Sequence, residues 1–395
     1  MEKNFLGEFT FTNKKTLTGI ETIIDKYSGN PISQLVIKSD SQYDIRMGYT
    51  SGDGLKLIDS HHRKNNPLGE FLGIDTTNLD NIRTFIEKYG FIYPISDTEY
   101  EIVDTTEFSL IQERLQAFIN LINNQSEFHI LENELLDSVL YLMLKSYEGY
   151  DLSDRNLLLK NNSELLKMIS TPISLSINHN RLKTDYINGQ KILYFSRKSI
   201  SLEKDVRMDL QDIQNVESDY SIPFWHKNLI NIFYTLDNLD ISEITKLKID
   251  FLYSCSHLLG YFNIDIKNQN TFSIETYDVV KNNTPFINSL LKISKLLIKE
   301  EFEQSLKDIK FTYNTETMSP DWNLPTLIGA LYFSIYYKNS TNIIYRVCKN
   351  INCNQYYQVS STNSTKKYCC DNCRDNSNAR KLRARKNKGK LPSSD

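Results

Sequence analysis

The chain has 395 residues, of which 40% are apolar and 24% charged, and its net charge is −3. These values fit a globular protein with a sizeable core and exclude a disordered or fibrous chain. The charge is uneven: from residue 341 onward twelve Lys and Arg face three Asp, so the tail carries +9 and the first 340 residues −12. A polyanionic partner is therefore expected at the tail alone.

The opening stretch MEKNFLGEFTF lacks the basic, apolar and small-residue signature of a secretory signal, which leads to an expected cytoplasmic location. Residues 1–100 read as a mixed α/β region. Short β-like runs (FLGEFTFT, SQLVIKS, YDIRMGYT) precede a helix over 79–89 that stops at Gly90. Residues 101–340 read as a mainly helical body. Phe108, Ile111, Leu115, Phe118, Ile119 and Ile122 share one helical face, and Leu135, Leu136, Val139, Leu140 and Met143 share the next.

A β-hairpin near 174–195 interrupts the helices, with SLSINHN and QKILYFS flanking Asn188-Gly189, a pair that accepts positive φ in a tight turn. A later helix is expected to start with Thr284 as N-cap and Pro285 in the first helical position, burying Phe286, Leu290, Ile293 and Leu297. The last body helix spans 324–337, short of the roughly 20 apolar residues that cross a bilayer, so no membrane contact is expected.

Five of the six cysteines crowd into the tail. Reduced thiols at this density in a cytosolic chain point to metal. Four residues separate Cys348 from Cys353, three separate Cys369 from Cys373, and fifteen lie between the pairs. This spacing suits one structural Zn2+ held by Cys348, Cys353, Cys369 and Cys373 in a treble clef over 344–376, with Cys370 open as an alternative to Cys369. The tail has no histidine, which leaves an all-cysteine site. Metal binding is expected to supply most of its folding free energy, and Cys353→Ser or Cys373→Ser to unfold the tail alone. The sixth cysteine, Cys255, reads as a small buried apolar residue.

The motif RxCxNxxCxxYY from Arg346 to Tyr357, the KKYC run ending at Cys369, and the basic helix that follows together resemble the CGNR-type zinc fingers at the C-terminus of bacterial transcription regulators. The resemblance covers about residues 346–388. It places Cys348, Cys353, Cys369 and Cys373 at the zinc-ligand positions and Cys370 at a serine position. Here the name motif is replaced by Cys373-Arg374-Asp375-Asn376, and the second pair is one residue closer. It implies a DNA-binding regulator.

Residues 377–395 form a basic helix and tail. Arg374, Arg380, Lys381, Arg383, Arg385, Lys386 and Lys388 are the candidate nucleic-acid contacts, DNA first, because each neutralised phosphate releases counterions. A helix so polar on all sides is not expected to dock a face on a core. Homo-oligomerisation, if any, falls to the body. No GxxxxGK[ST], GxGxxG, HExxH or GxSxG motif occurs, so no enzymatic activity is assigned. Asp53, Asp59, His61 and His62 read as an ordinary polar turn. The fold class expected is α+β, with a predominantly α-helical body, a short hairpin and the cysteine module. The alternative function is a protein-interaction factor whose zinc is purely structural.

Overall fold

Alternation of apolar and polar residues draws the N-terminal segment into a long antiparallel ribbon of β1 (Phe9–Ile24) and β2 (Pro31–Thr50). The computed structural model describes residues 9–24, 29–50, 54–58, 66–126, 132–145, 163–171, 182–262, 274–315, 318–337, 343–360 and 365–388. Phe9 stands opposite Tyr49 and Phe11 opposite Met47, all four buried, and a bulge between Lys14 and Lys15 shifts the register. The strands run to 16 and 20 residues, longer than the runs legible in sequence.

The sheet is completed on β2 by β3 (Gly54–Leu57) and later by β4 (Glu101–Ile102). Between them lie α1 (Pro67–Gly73) and α2 (Leu79–Tyr89). The Asn78 side chain caps α2, and Gly90 ends it with φ of 80°. A Cβ at Gly90 would stand 2.6 Å from the Lys14 carbonyl, so the α2 terminus meets β1 where only glycine fits. The Asn13 side chain seals this contact by donating to the carbonyls of Tyr89 and Phe91.

Next comes α3 (Thr105–Ser126), which buries Phe108, Ile111, Leu115, Phe118 and Ile119 as its periodicity requires, with Ile122 half-buried. The Gln112 amide donates to the carbonyls of Phe71 and Ile74 at 2.6 and 2.9 Å, and Gln116 to that of Leu72 at 2.7 Å. These bonds satisfy the carbonyls that the end of α1 leaves open.

A second group of elements follows: α4 (Glu132–Leu144), α5 (Ser163–Ser170), β5 (Lys183–Ile187), β6 (Gln190–Ser199), β7 (Lys204–Asp209), α6 (Leu210–Ser218), α7 (Phe224–Thr235), α8 (Glu243–Leu259), α9 (Ile274–Lys281) and α10 (Thr284–Ser305). On α4, Leu135, Leu136, Val139, Leu140 and Met143 are all buried. The expected hairpin turns at Asn188 and Gly189, both at positive φ. Its first strand is β5, whereas the expected SLSINHN strand lies outside the described residues, and β7 adds a third strand. The buried Asp250 carboxylate on α8 accepts from the Ile200 and Ser201 amides and holds the β6–β7 connection. Phe286, Leu290, Ile293 and Leu297 are buried on α10, but its cap is Asn283, whose side chain accepts from the Phe286 amide at 3.1 Å. Thr284 is thus already helical.

The chain ends with β8 (Lys310–Asn314) and β9 (Ser319–Asn323) as a hairpin, then α11 (Leu327–Tyr336), β10 (Ile343–Val347), β11 (Tyr356–Ser360) and α12 (Asp371–Lys388). Thr326, extended at φ of −140° and ψ of 152°, caps α11 by accepting from the Gly329 amide, so the helix begins three residues inside the expected 324–337 span.

Packing divides the chain into a discontinuous unit 1, Met1–Phe128 with Phe302–Asp395, and unit 2, His129–Glu301. Among the described residues helix makes up 50% and strand 26%, a mixed architecture in which long strands accompany the helices. Among the described residues no helix is long and apolar enough to cross a membrane.

In unit 2, His226 on α7 is buried, with Nε2 3.2 Å from both the amide and the carbonyl of Phe262 and Nδ1 3.3 Å from Ser256 Oγ. Burial pushes its pKa down to about 4. A depressed imidazole contributes stability above its unfolded value of about 6.5 that drains away as pH falls toward the folded value. Unit 2 should lose about 3 kcal/mol between those limits from this residue, since each tenfold change in proton affinity is worth about 1.4 kcal/mol. Urea midpoints of the wild type and His226→Asn, measured from pH 7 to 4, should converge on acidification; parallel curves would exclude His226 as the cause.

Candidate metal centre

The sulfur atoms of Cys348, Cys353, Cys369 and Cys373 lie within 4.8 Å of one another. Each comes from a different local device. Cys348 follows β10 and is buried, its amide donating to the Gln355 carbonyl at 2.9 Å. Cys353 sits in the turn before β11, its amide donating to the Asn350 carbonyl at 2.8 Å, and Asn354 reverses the chain with φ of 47°. Cys369 precedes α12, and Cys373 occupies its first turn. Cys353 Sγ and Cys369 Sγ are 3.6 Å apart, and Cys369 Sγ and Cys373 Sγ 3.5 Å. Tetrahedral thiolates about 2.3 Å from a zinc-sized ion stand about 3.8 Å apart, so the spacing accommodates a metal ion.

The electrostatics disfavour uncompensated charge at two of the four sulfurs. Burial pushes the Cys353 thiol up to about 11, and burial with the neighbouring cysteines drives Cys369 well above the usual thiol range. Cys348 goes the other way: burial acts to raise it, but amide N–H groups of Cys369 and Asn350 point at its sulfur and bring it below the ordinary value. Four thiolates at this range require a cation between them, and a divalent ion deprotonates its thiols outright. Cys370 is not in the four-sulfur set, although its Sγ is 3.9 Å from that of Cys369. Cys255 is fully buried on α8, as its apolar surroundings in sequence imply.

The module is built into unit 1. Ile344, Cys348, Tyr357 and Val359 form its small core, with Tyr368 packed beside it. The Tyr357 hydroxyl donates to the Lys366 carbonyl, and the Lys349 amide to that of Lys367, closing the second cysteine loop onto the first. The Asn123 side chain on α3 binds both backbone groups of Tyr345, at 2.8 and 2.9 Å, and so pins the outer edge of β10. On the other side α1 presents Gly69 and Gly73, one turn apart. A Cβ at Gly69 would stand 2.0 Å from the Tyr356 carbonyl, and one at Gly73 2.7 Å from that of Asn354. The Asn66 side chain caps α1 through the Gly69 amide and also donates to the Tyr356 carbonyl at 3.4 Å.

The candidate nucleic-acid residues divide into three groups. Arg374 pairs with Asp371 at 3.0 Å and with Asp375 at 3.1 Å. Arg380 turns back to bind the side chains of Asn350 and Asn352, and Tyr368 donates to the buried Ser377. The first half of α12 is therefore docked on the module, contrary to a helix solvated on all sides. Lys381 and Arg383 are exposed, and Arg385, Lys386 and Lys388 lie further along the same helix. Asp53, Asp59, His61 and His62 lie outside the described residues.

Sequence reasoning missed Asn66, Gly69, Gly73 and Asn123. The glycine spacing of four in PLGEFLG was the available signal for close approach. No protein-family model, no curated protein and no solved structure matches this chain.

Because α1 and the cysteine loop share an interface without room for a methyl group, damage at one should reach the other. Gly69→Ala should lower the stability of unit 1 by about 1–3 kcal/mol and weaken metal binding. Denaturant midpoints and competition with a chelator measure the two effects; unchanged values for both would exclude the docking.

Proposed function

We propose that this chain is a zinc-dependent nucleic-acid-binding regulator, with DNA as the first candidate partner. In this reading the four cysteines hold one structural Zn2+ in a treble clef akin to the CGNR type, and α12 is the contact element. The supporting observation is the juxtaposition of a four-cysteine site with an 18-residue helix that starts inside it and carries seven Lys and Arg against two Asp. All-thiolate ligation favours zinc among common cellular divalent ions, as soft donors discriminate against magnesium and calcium. Exposed Lys381 and Arg383 would neutralise phosphates, while Arg380 serves the helix base. An order of hairpin, cysteine turn, hairpin return and helix supports the treble-clef assignment.

A second reading is a protein-interaction factor with a purely structural metal. It is favoured by the pairing of Arg374 and Arg380 within the module, which removes two of the seven cations from any partner.

Elemental analysis of the purified full chain should give one zinc. Duplex DNA binding across a salt series should then show a steep log-log slope, which Lys381→Ala and Arg383→Ala should each make shallower by about 0.9 for every phosphate left without its cation. Zinc with no salt-dependent affinity for DNA or RNA would overturn the nucleic-acid reading and favour the second one.

A further inference from the structure

The cysteine site carries a fifth thiol on its open side. Cys353, Cys369, Cys370 and Cys373 line one crevice of about 320 Å³, together with Glu70, Lys88 and the polar side chains of the cysteine loops. Cys348 instead lies in the small apolar core beneath. Cys370 Sγ lies 3.9 Å from Cys369 Sγ, outside the set of four but beside the vertex it would take over.

Cys369 and Cys370 are consecutive and precede α12, so exchanging one for the other involves the loop and leaves the helix in place. The Arg374 amide donates to the Cys370 carbonyl at 3.2 Å, which ties this loop to the first helical turn. Two of the other ligands are held by backbone bonds that such an exchange does not touch: Cys348 N–H to the Gln355 carbonyl and Cys353 N–H to the Asn350 carbonyl. One bond distinguishes the two arrangements. The Cys369 amide lies 3.5 Å from Cys348 Sγ and favours Cys369 as the resting ligand.

We propose that Cys370 is an exchange ligand, able to replace Cys369 on the metal while Cys348, Cys353 and Cys373 stay bound. This rests on the cluster being a metal site. In the step, the Cys370 sulfur forms a bond to the metal as the bond to Cys369 breaks. The proton leaving Cys370 ends on Cys369, and four thiolates surround the ion before and after. No oxidant or reductant takes part. The fifth thiol gives metal transfer an associative route: an incoming chelator in the crevice meets a site already able to change partners without losing its charge balance.

The test uses the reduced full-length protein with cobalt(II), whose thiolate charge-transfer and ligand-field bands report tetrahedral four-sulfur ligation. Cys369→Ser should bind one cobalt with a four-thiolate spectrum, its affinity close to that of the wild type. The double change Cys369→Ser with Cys370→Ser should lose more than about 100-fold in affinity, beyond the usual cost of an outer-shell change. Cys370→Ser should keep the wild-type affinity yet release metal to a chelator several-fold more slowly. A Cys369→Ser protein as weak as the double variant, or a Cys370→Ser protein that exchanges at the wild-type rate, would overturn the proposal. A wild-type chain that gives no thiolate bands at all would overturn the metal reading beneath it.

Discussion

Charge repulsion among four sulfurs is the constraint on which the C-terminal part of unit 1 depends. Two unit negative charges 4 Å apart repel by about 4 kcal/mol at an effective dielectric of 20. Here four such groups share a space less than 5 Å across. Such a cluster is stable as thiols or with a cation, which would convert the repulsion into attraction at every vertex. The elements it gathers are small: β10 and β11 have five residues each. A two-stranded hairpin of that length is marginal by itself.

The hairpin is supported from two sides by unlike means. Asn123 completes the hydrogen bonding of an edge strand with a side chain, which is specific but local. Helix α1 supports it by proximity, with two glycines that let backbone meet backbone. That helix has seven residues and cannot hold its own shape; its start is capped by Asn66 and its end by Gln112 and Gln116 from α3. Helix α3 thereby holds one side of the cysteine module directly and positions α1 on the other. The ion pair of Lys88 with Glu70 joins α2 to α1 at the rim of the crevice.

How much of this was legible follows from how local each signal is. The faces of α3, α4 and α10 were readable because burial imposes a period of 3.6, and Asn188-Gly189 because a two-residue turn needs positive φ in consecutive positions. The four sulfurs were readable because thiols so dense in sequence leave few alternatives. The lengths of β1 and β2 were not, since their distal halves expose Ile20, Ile23, Ile24 and Ile32 and the in-out alternation fades there. Nor was the docking of the module, which rests on glycines and asparagines more than 200 residues away in the chain. A glycine's close approach is a property of its neighbour, and residue type alone does not name that neighbour. The same limit hid the role of Arg380, which sequence placed with the phosphate contacts and the fold turns toward Asn350.

The discontinuity of unit 1 has a consequence for synthesis. Residues 1–128 leave the ribosome first, yet the strands and helix that complete their packing belong to 302–395. At about 5–20 residues per second, translating the intervening segment takes on the order of 10–30 s. During that interval the apolar side of the β1–β2 ribbon and the glycine face of α1 are without their partners, and they are surfaces for a chaperone to shield. The four clustered cysteines, Cys348, Cys353, Cys369 and Cys373, all follow that segment. An ion held by these four sulfurs would lock a hairpin onto a unit whose first half was made long before.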